Sequence, residues 1–141
     1  MEVPMNGLAI LAAAIASMVI GFLWYGPIFG KQWMAWSGFT KKKMDEAKKK
    51  GMTKEYAIMF ATSLLMAFVL SHALVFASAY LHTSGIEAGL MSGFWNWLGF
   101  IVPVTIGSVL WEGKSWKLWA LNAGHHLVTL LTMGVILALW T

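Results

Sequence analysis

The residues of this chain able to move a proton or hold an ion inside an apolar surrounding are few, and most lie near the C-terminal end. Asn122, His125, His126, Thr129 and, further on, Met133 follow the spacing that places side chains on one face of an α-helix. Imidazoles titrate near neutrality and ligate metals, so a proton relay and a metal site are the two chemistries to weigh. For a metal the pattern is poor. His125 and His126 are adjacent, about 100° apart on a helix, and no Asp, Glu or Cys accompanies them in an apolar stretch. For a relay the usual intramembrane carboxylate is missing. Nucleophilic catalysis has no basis: the chain has no Cys and no Gly-x-Ser-x-Gly. The expectation is no catalytic residue, no metal and no cofactor. The polar stripe then serves either as interhelical hydrogen-bonding glue or as a binding surface.

The elements that position the stripe can be read from charge and hydropathy. The 141 residues are 59% hydrophobic and 11% charged, with mean hydropathy +0.69, whereas a soluble domain is about 25% charged. A soluble fold of this length could not hide so much apolar surface, and a bilayer can solvate it directly. Four apolar stretches predict an all-α membrane protein with transmembrane helices over about 5–25, 56–81, 88–110 and 118–140. They form one domain, 1–141, with an interfacial segment over 31–55.

The lysines orient these helices. Eight, from Lys31 to Lys54, lie between the first and second stretches, and Lys114 and Lys117 lie between the third and fourth. None precedes the first stretch, separates the second from the third, or follows the fourth. By the positive-inside rule the lysine loops are cytoplasmic and both termini outside, in the inner (plasma) membrane of a cell. The overall +4 is therefore no sign of nucleic-acid binding. The lysine side carries ten lysines against Asp45, Glu46, Glu55 and Glu112, and the other side only Glu2 and Glu87. A basic face of this kind, Lys41 to Lys50 above all, is drawn to anionic lipid. Glu2 also gives the extreme N-terminus the wrong sign for a cleaved leader, so the first stretch is expected to be retained.

Within the lysine loop, Thr40 can cap a short helix and Gly51 can end it. A short basic interfacial helix is thus expected between the first two spans, preceded by an aromatic loop over 29–39. Trp24, Trp33, Trp36, Trp111 and Trp116 are expected as interfacial anchors. Pro27 is expected to end the first helix, and Pro103 to kink the third and free the Gly99 carbonyl. Small residues recur as Ala9, Ala13, Ser17 and Gly21 on the first helix and as Gly89 and Gly93 on the third. One strip is expected to pack inside the subunit and the other to drive a homo-oligomer. A weak echo, Gly21-x-x-Trp24-x-Gly26 against Gly107-x-x-x-Trp111-x-Gly113, suggests two related helix pairs.

Depth sorts the remaining polar residues. His125 falls roughly 10 Å from the lysine-side end of its helix, Thr62 and Ser63 roughly 10 Å and Thr105 and Ser108 within roughly 8 Å of theirs. These predict one polar belt in the lysine-side half. His72 and Asn96 fall at a common depth in the other half and are expected to pair.

The segment Gly21 to Gly38, GFLWYGPIFGKQWMAWSG, resembles the signature of a small bacterial membrane family known as domain-of-unknown-function family 1761. The Trp24 to Trp33 element, Trp-Tyr-x-Pro-x-Phe-Gly-Lys-x-Trp, is its most specific part, and the resemblance continues to the last hairpin, WEGKSWKLWALNAGHHLV. It implies a four-helix integral membrane protein and brings no activity, substrate or catalytic residue. The functional expectation is a non-enzymatic oligomer that binds or passes a small molecule, ion or lipid. The alternative is a structural or assembly subunit of a larger membrane complex.

Overall fold

The computed structural model describes residues 4–140; Glu2 lies outside the described residues. The protein is an all-α membrane protein: four helices are long and apolar enough to cross a membrane, at Gly7–Ile28, Thr53–Leu81, Gly85–Leu110 and Trp116–Leu139. In chain order, α1 (Gly7–Leu23) runs into a π turn (Trp24–Ile28). Two short helices follow, α2 (Gly30–Ser37) and α3 (Lys41–Lys50), and then α4 (Thr53–Leu81). The third span is α5 (Gly85–Asn96), a second π turn (Trp97–Ile101), α6 (Val102–Thr105) and α7 (Gly107–Leu110). The fourth is α8 (Trp116–Leu139).

Local chemistry sets these boundaries. Asn6 caps α1, its side-chain oxygen accepting from the Leu8 and Ala9 amides at 3.1 and 3.2 Å. Its amide nitrogen donates to the Trp140 carbonyl at 2.9 Å, tying the start of the first span to the end of the fourth. Ser115 caps α8 through the Leu118 amide. Thr40 caps α3 through the Lys43 amide, and Gly51 follows α3 at φ +88°.

Two expectations are corrected here. Pro27 does not end the first span. It lacks an amide hydrogen, and the helix widens into a π turn, closed by the Phe29 amide on the Trp24 carbonyl at 2.9 Å, before Phe29 breaks it. Residues 30–37, expected as loop, form α2, which ends at Gly38 in the left-handed region, φ +74°. Pro103 acts in the same way as Pro27. Its disturbance is taken up by the π turn at Trp97–Ile101 and by the two single-turn helices α6 and α7.

The fourth span is the centre of the bundle and packs on the other three. Its neighbours approach closely where side chains are small. A Cβ on Gly93 would lie 2.6 Å from the Leu130 carbonyl oxygen. Gly89 and Gly134 face one another so closely that a Cβ on either would strike the other's carbonyl. Ala9 and Ala13 are buried in the core beside Leu70, Leu130 and Met133. Gly89 and Gly93, with Ala9 and Ala13 of the first strip, are therefore packed inside one chain, while Ser17 and Gly21 are half-buried. The core occupies the half of the bundle away from the lysines. The lysine half holds larger clefts than the one of about 350 Å³ that opens at the other end beside Asn6, Ser71 and Trp140.

Candidate functional site

The stripe on α8 turns inward. Thr129 is 2% exposed, Met133 0% and His125 8%, while Asn122 and His126 are half-buried. The opposite residues, Leu127 and Leu131, are half-buried as well, because α8 is surrounded rather than laid against one neighbour.

The His125 imidazole sits in an aromatic cage. Its ring centre is 5.0 Å from Tyr25, 6.2 Å from Trp24 and 5.1 Å from His126. Its Nε2 edge faces Gly21, where a Cβ would lie 3.5 Å away in ordinary van der Waals contact. The ring is under-bonded. Thr129 Oγ1 is 3.5 Å from Nε2, at the limit of a hydrogen bond, and buried Nδ1 has no partner among the described residues. Tyr25 instead donates its hydroxyl to Asn122 Oδ1 at 2.7 Å.

Three tryptophans act differently from interfacial anchors. Trp24 donates its indole N–H to the Leu121 carbonyl at 3.1 Å and Trp97 to the Ala123 carbonyl at 2.8 Å. Each opens a π turn, and both grip neighbouring residues of α8. Trp119 donates to Thr105 Oγ1 at 3.0 Å, and Thr105 donates to the Ile101 carbonyl inside the disturbed third span. The expectation of Trp24 as a surface anchor is thus corrected: it is half-buried against Gly124. Trp33 lies edge-on to Tyr25, Trp36 faces the Lys117 ammonium at 5.9 Å, and Trp111 and Trp116 are exposed. The echo between Trp24 and Trp111 does not extend to their surroundings, since Trp111 is 87% exposed.

The single polar belt is also corrected, because it divides in two. Ser63 is buried, its hydroxyl 3.4 Å from that of Ser17. Thr62 is exposed and donates to the Met59 carbonyl of its own helix. Thr105, Ser108, Asn122 and His126 line a different cleft of about 640 Å³, whose polar mouth carries Glu112 and Lys114. His72 and Asn96 do not pair. His72 Nδ1 is 2.9 Å from the Phe68 carbonyl, and Asn96 donates to the Ser92 carbonyl at 2.7 Å. Each long polar side chain satisfies itself on its own helix, one turn back.

The second cleft, about 590 Å³, opens between the first and second spans under α3. Four methionines, Met18, Met44, Met52 and Met59, form its walls with Phe22, Trp33 and Tyr56. Ser17 and His125 are its deepest polar groups and Lys48 stands at its rim. Tyr25 lines both clefts. The tyrosine and the two histidines form the partition between them. Sequence spacing missed this methionine wall, because its four members come from three helices and a linker. The signal available was the number of methionines, ten in the chain. No group of three or more His, Cys, Asp or Glu able to hold a metal occurs among the described residues.

No curated protein and no solved structure matches this chain. A family profile, described as "Protein of unknown function (DUF1761)", matches residues 8–138 and so takes in all four spans, both clefts and the helices over the lysine-side opening. The chain belongs to the DUF1761 family.

Proposed function

We propose that the protein is a non-enzymatic binding protein for a small apolar or amphipathic molecule, which it takes from the bilayer into the cleft between its first and second spans. The observation that carries this is the cleft's composition: a wall of four methionines and three aromatic rings with a buried, under-bonded imidazole at its depth. Methionine is flexible and polarisable and suits an adaptable apolar site, while a small number of convergent polar groups fixes orientation. Phe22 is 72% exposed, and Met59 and Tyr56 also face outward, so the cleft opens sideways toward lipid. The lysine distribution supports a cytoplasmic opening, with the basic α3 drawn to anionic lipid. One chain supplies every wall, so the function does not require a second copy.

Met59→Trp fills the cleft from its exposed side without touching the core. Native mass spectrometry of protein released from lipid nanodiscs should show a small-molecule adduct that this substitution removes. Phe94→Trp, on the exposed face of the third span, should leave the adduct in place. An adduct unaffected by Met59→Trp, or none, would remove the proposal and leave the chain as an assembly subunit. That second reading is favoured by the exposed, irregular third span, because broken backbone at membrane depth is normally covered by protein.

A further inference from the structure

The ligand class follows from where the polar groups of the methionine-walled cleft lie. His125 is nine residues into the fourth span and Ser17 eleven residues from the end of the first. At 1.5 Å per residue both sit about 15 Å inside the bundle. Lys48, the cleft's only charged lining residue, is on α3 at the rim. An anionic single-chain lipid would place its head at Lys48 and its alkyl tail against Ser17 and the Nε2 edge of His125, which faces Gly21 of the cleft, so the tail would lie against polar groups. A charged head at the depth of His125 would meet no counter-charge and would bear the full desolvation penalty. A neutral group that hydrogen-bonds at that depth avoids both faults. The walls add a shape. Thioethers and aromatic faces prefer a flat ring between them, and the walls of this cleft consist mainly of these two kinds of side chain. The sideways opening past Phe22 and Met59 then gives a long tail an exit into lipid.

We propose that this cleft receives the ring of a neutral, carbonyl-bearing lipid of the quinone class. A ring carbonyl takes its hydrogen bond from His125 Nε2, the ring nitrogen on the Gly21 side of the cleft, and the tail leaves between the first and second spans. The assignment rests on the binding function proposed above and specifies its ligand. It is a binding assignment only, with no electron transfer implied.

The test uses the full chain in lipid nanodiscs with two probes, a decyl-substituted benzoquinone and palmitate. The quinone should bind the wild type. His125→Leu should weaken it at least about tenfold, the scale of one hydrogen bond, Lys48→Ala should leave it within about twofold, and Met59→Trp should abolish it. Palmitate should not occupy the cleft. Infrared difference spectra should show a carbonyl stretch of the bound quinone moved to lower frequency, a readout that needs no variant and so survives any folding defect of His125→Leu. An unshifted carbonyl, or quinone binding indifferent to His125→Leu, overturns the ligand class. Palmitate binding that depends on Lys48 and ignores His125 also overturns it and gives the site to an anionic amphiphile. In either case an adduct still removed by Met59→Trp leaves the binding function standing. Loss of every Met59→Trp-sensitive adduct sinks both.

Discussion

The partition between the clefts is held by one short hydrogen bond, from the Tyr25 hydroxyl to Asn122 Oδ1 at 2.7 Å. Side-chain hydrogen bonds between membrane helices are worth about 0.6 kcal/mol on average. Tyr25→Phe should therefore lower unfolding stability, measured in mixed micelles of mild detergent and dodecyl sulfate, by about that amount. His125 should behave in the opposite way. Its Nδ1 is buried without a partner, a state that costs about 1–3 kcal/mol. His125→Leu, close in size and apolar, should leave stability in the same assay unchanged or raise it by about 1 kcal/mol. A fall of several kcal/mol would show that the imidazole is structural glue. The contrast between these neighbours is the physical reason for placing function at His125: a residue that weakens the fold is kept for some other purpose.

Among the elements, α5 and α8 depend on glycine in a way that polar residues do not. Gly89, Gly93, Gly134 and the backbone at Leu130 bring the two helices into near backbone contact, where dispersion and Cα–H···O contacts replace the hydrophobic force that lipid removes. Gly93→Ala should cost about 1–3 kcal/mol through overpacking, and Gly134→Ala should act in the same direction, both read as earlier unfolding in the same micelle titration. Neither should change an oligomeric mass while the chain stays folded, since this seam is internal. The small-residue spacing was legible in the sequence, but its partner was not. A strip of glycines signals that some backbone comes close, and only the packing says which. Pro27 and Pro103 are similar. Each announces a missing amide hydrogen, yet whether the helix ends, kinks or widens depends on what holds the next turn. Here Trp24 and Trp97 hold it, through carbonyls of α8.

At the scale of the whole molecule, the packed half and the open half divide the labour. The core around Met133, Leu130 and Ala13 fixes the helices at one end. At the other, two clefts remain that tight packing would have closed, and α2 and α3 cover the methionine-walled one. The lysine partition proposes a cytoplasmic open half. The chain has no cysteine of its own, so single cysteines report cleanly. An impermeant maleimide added to intact cells should label a cysteine at position 84 and spare one at position 48. The reverse pattern would invert the molecule and the side from which the cleft faces the membrane.

Hydropathy, charge and capping residues determined the class of this protein, its four spans and the basic helix between the first two. These signals are local, or depend only on transfer between water and lipid, so each stretch carries its own. The inward turn of the Asn122–His125–Thr129 stripe was likewise legible, because a polar face in hydrocarbon must find protein. Three matters were decided only by tertiary structure. Trp24 became a helix clamp rather than an anchor, the expected belt split at Tyr25, and His72 and Asn96 bonded to their own helices instead of to each other. Depth along a helix is readable from residue number, but azimuth and partner depend on how four cylinders rotate against one another. That rotation is set by close contacts, Gly89 on Gly134 above all, between residues far apart in the chain. The methionine cleft has the same origin, since it exists only where three helices and a linker bring scattered side chains to one wall.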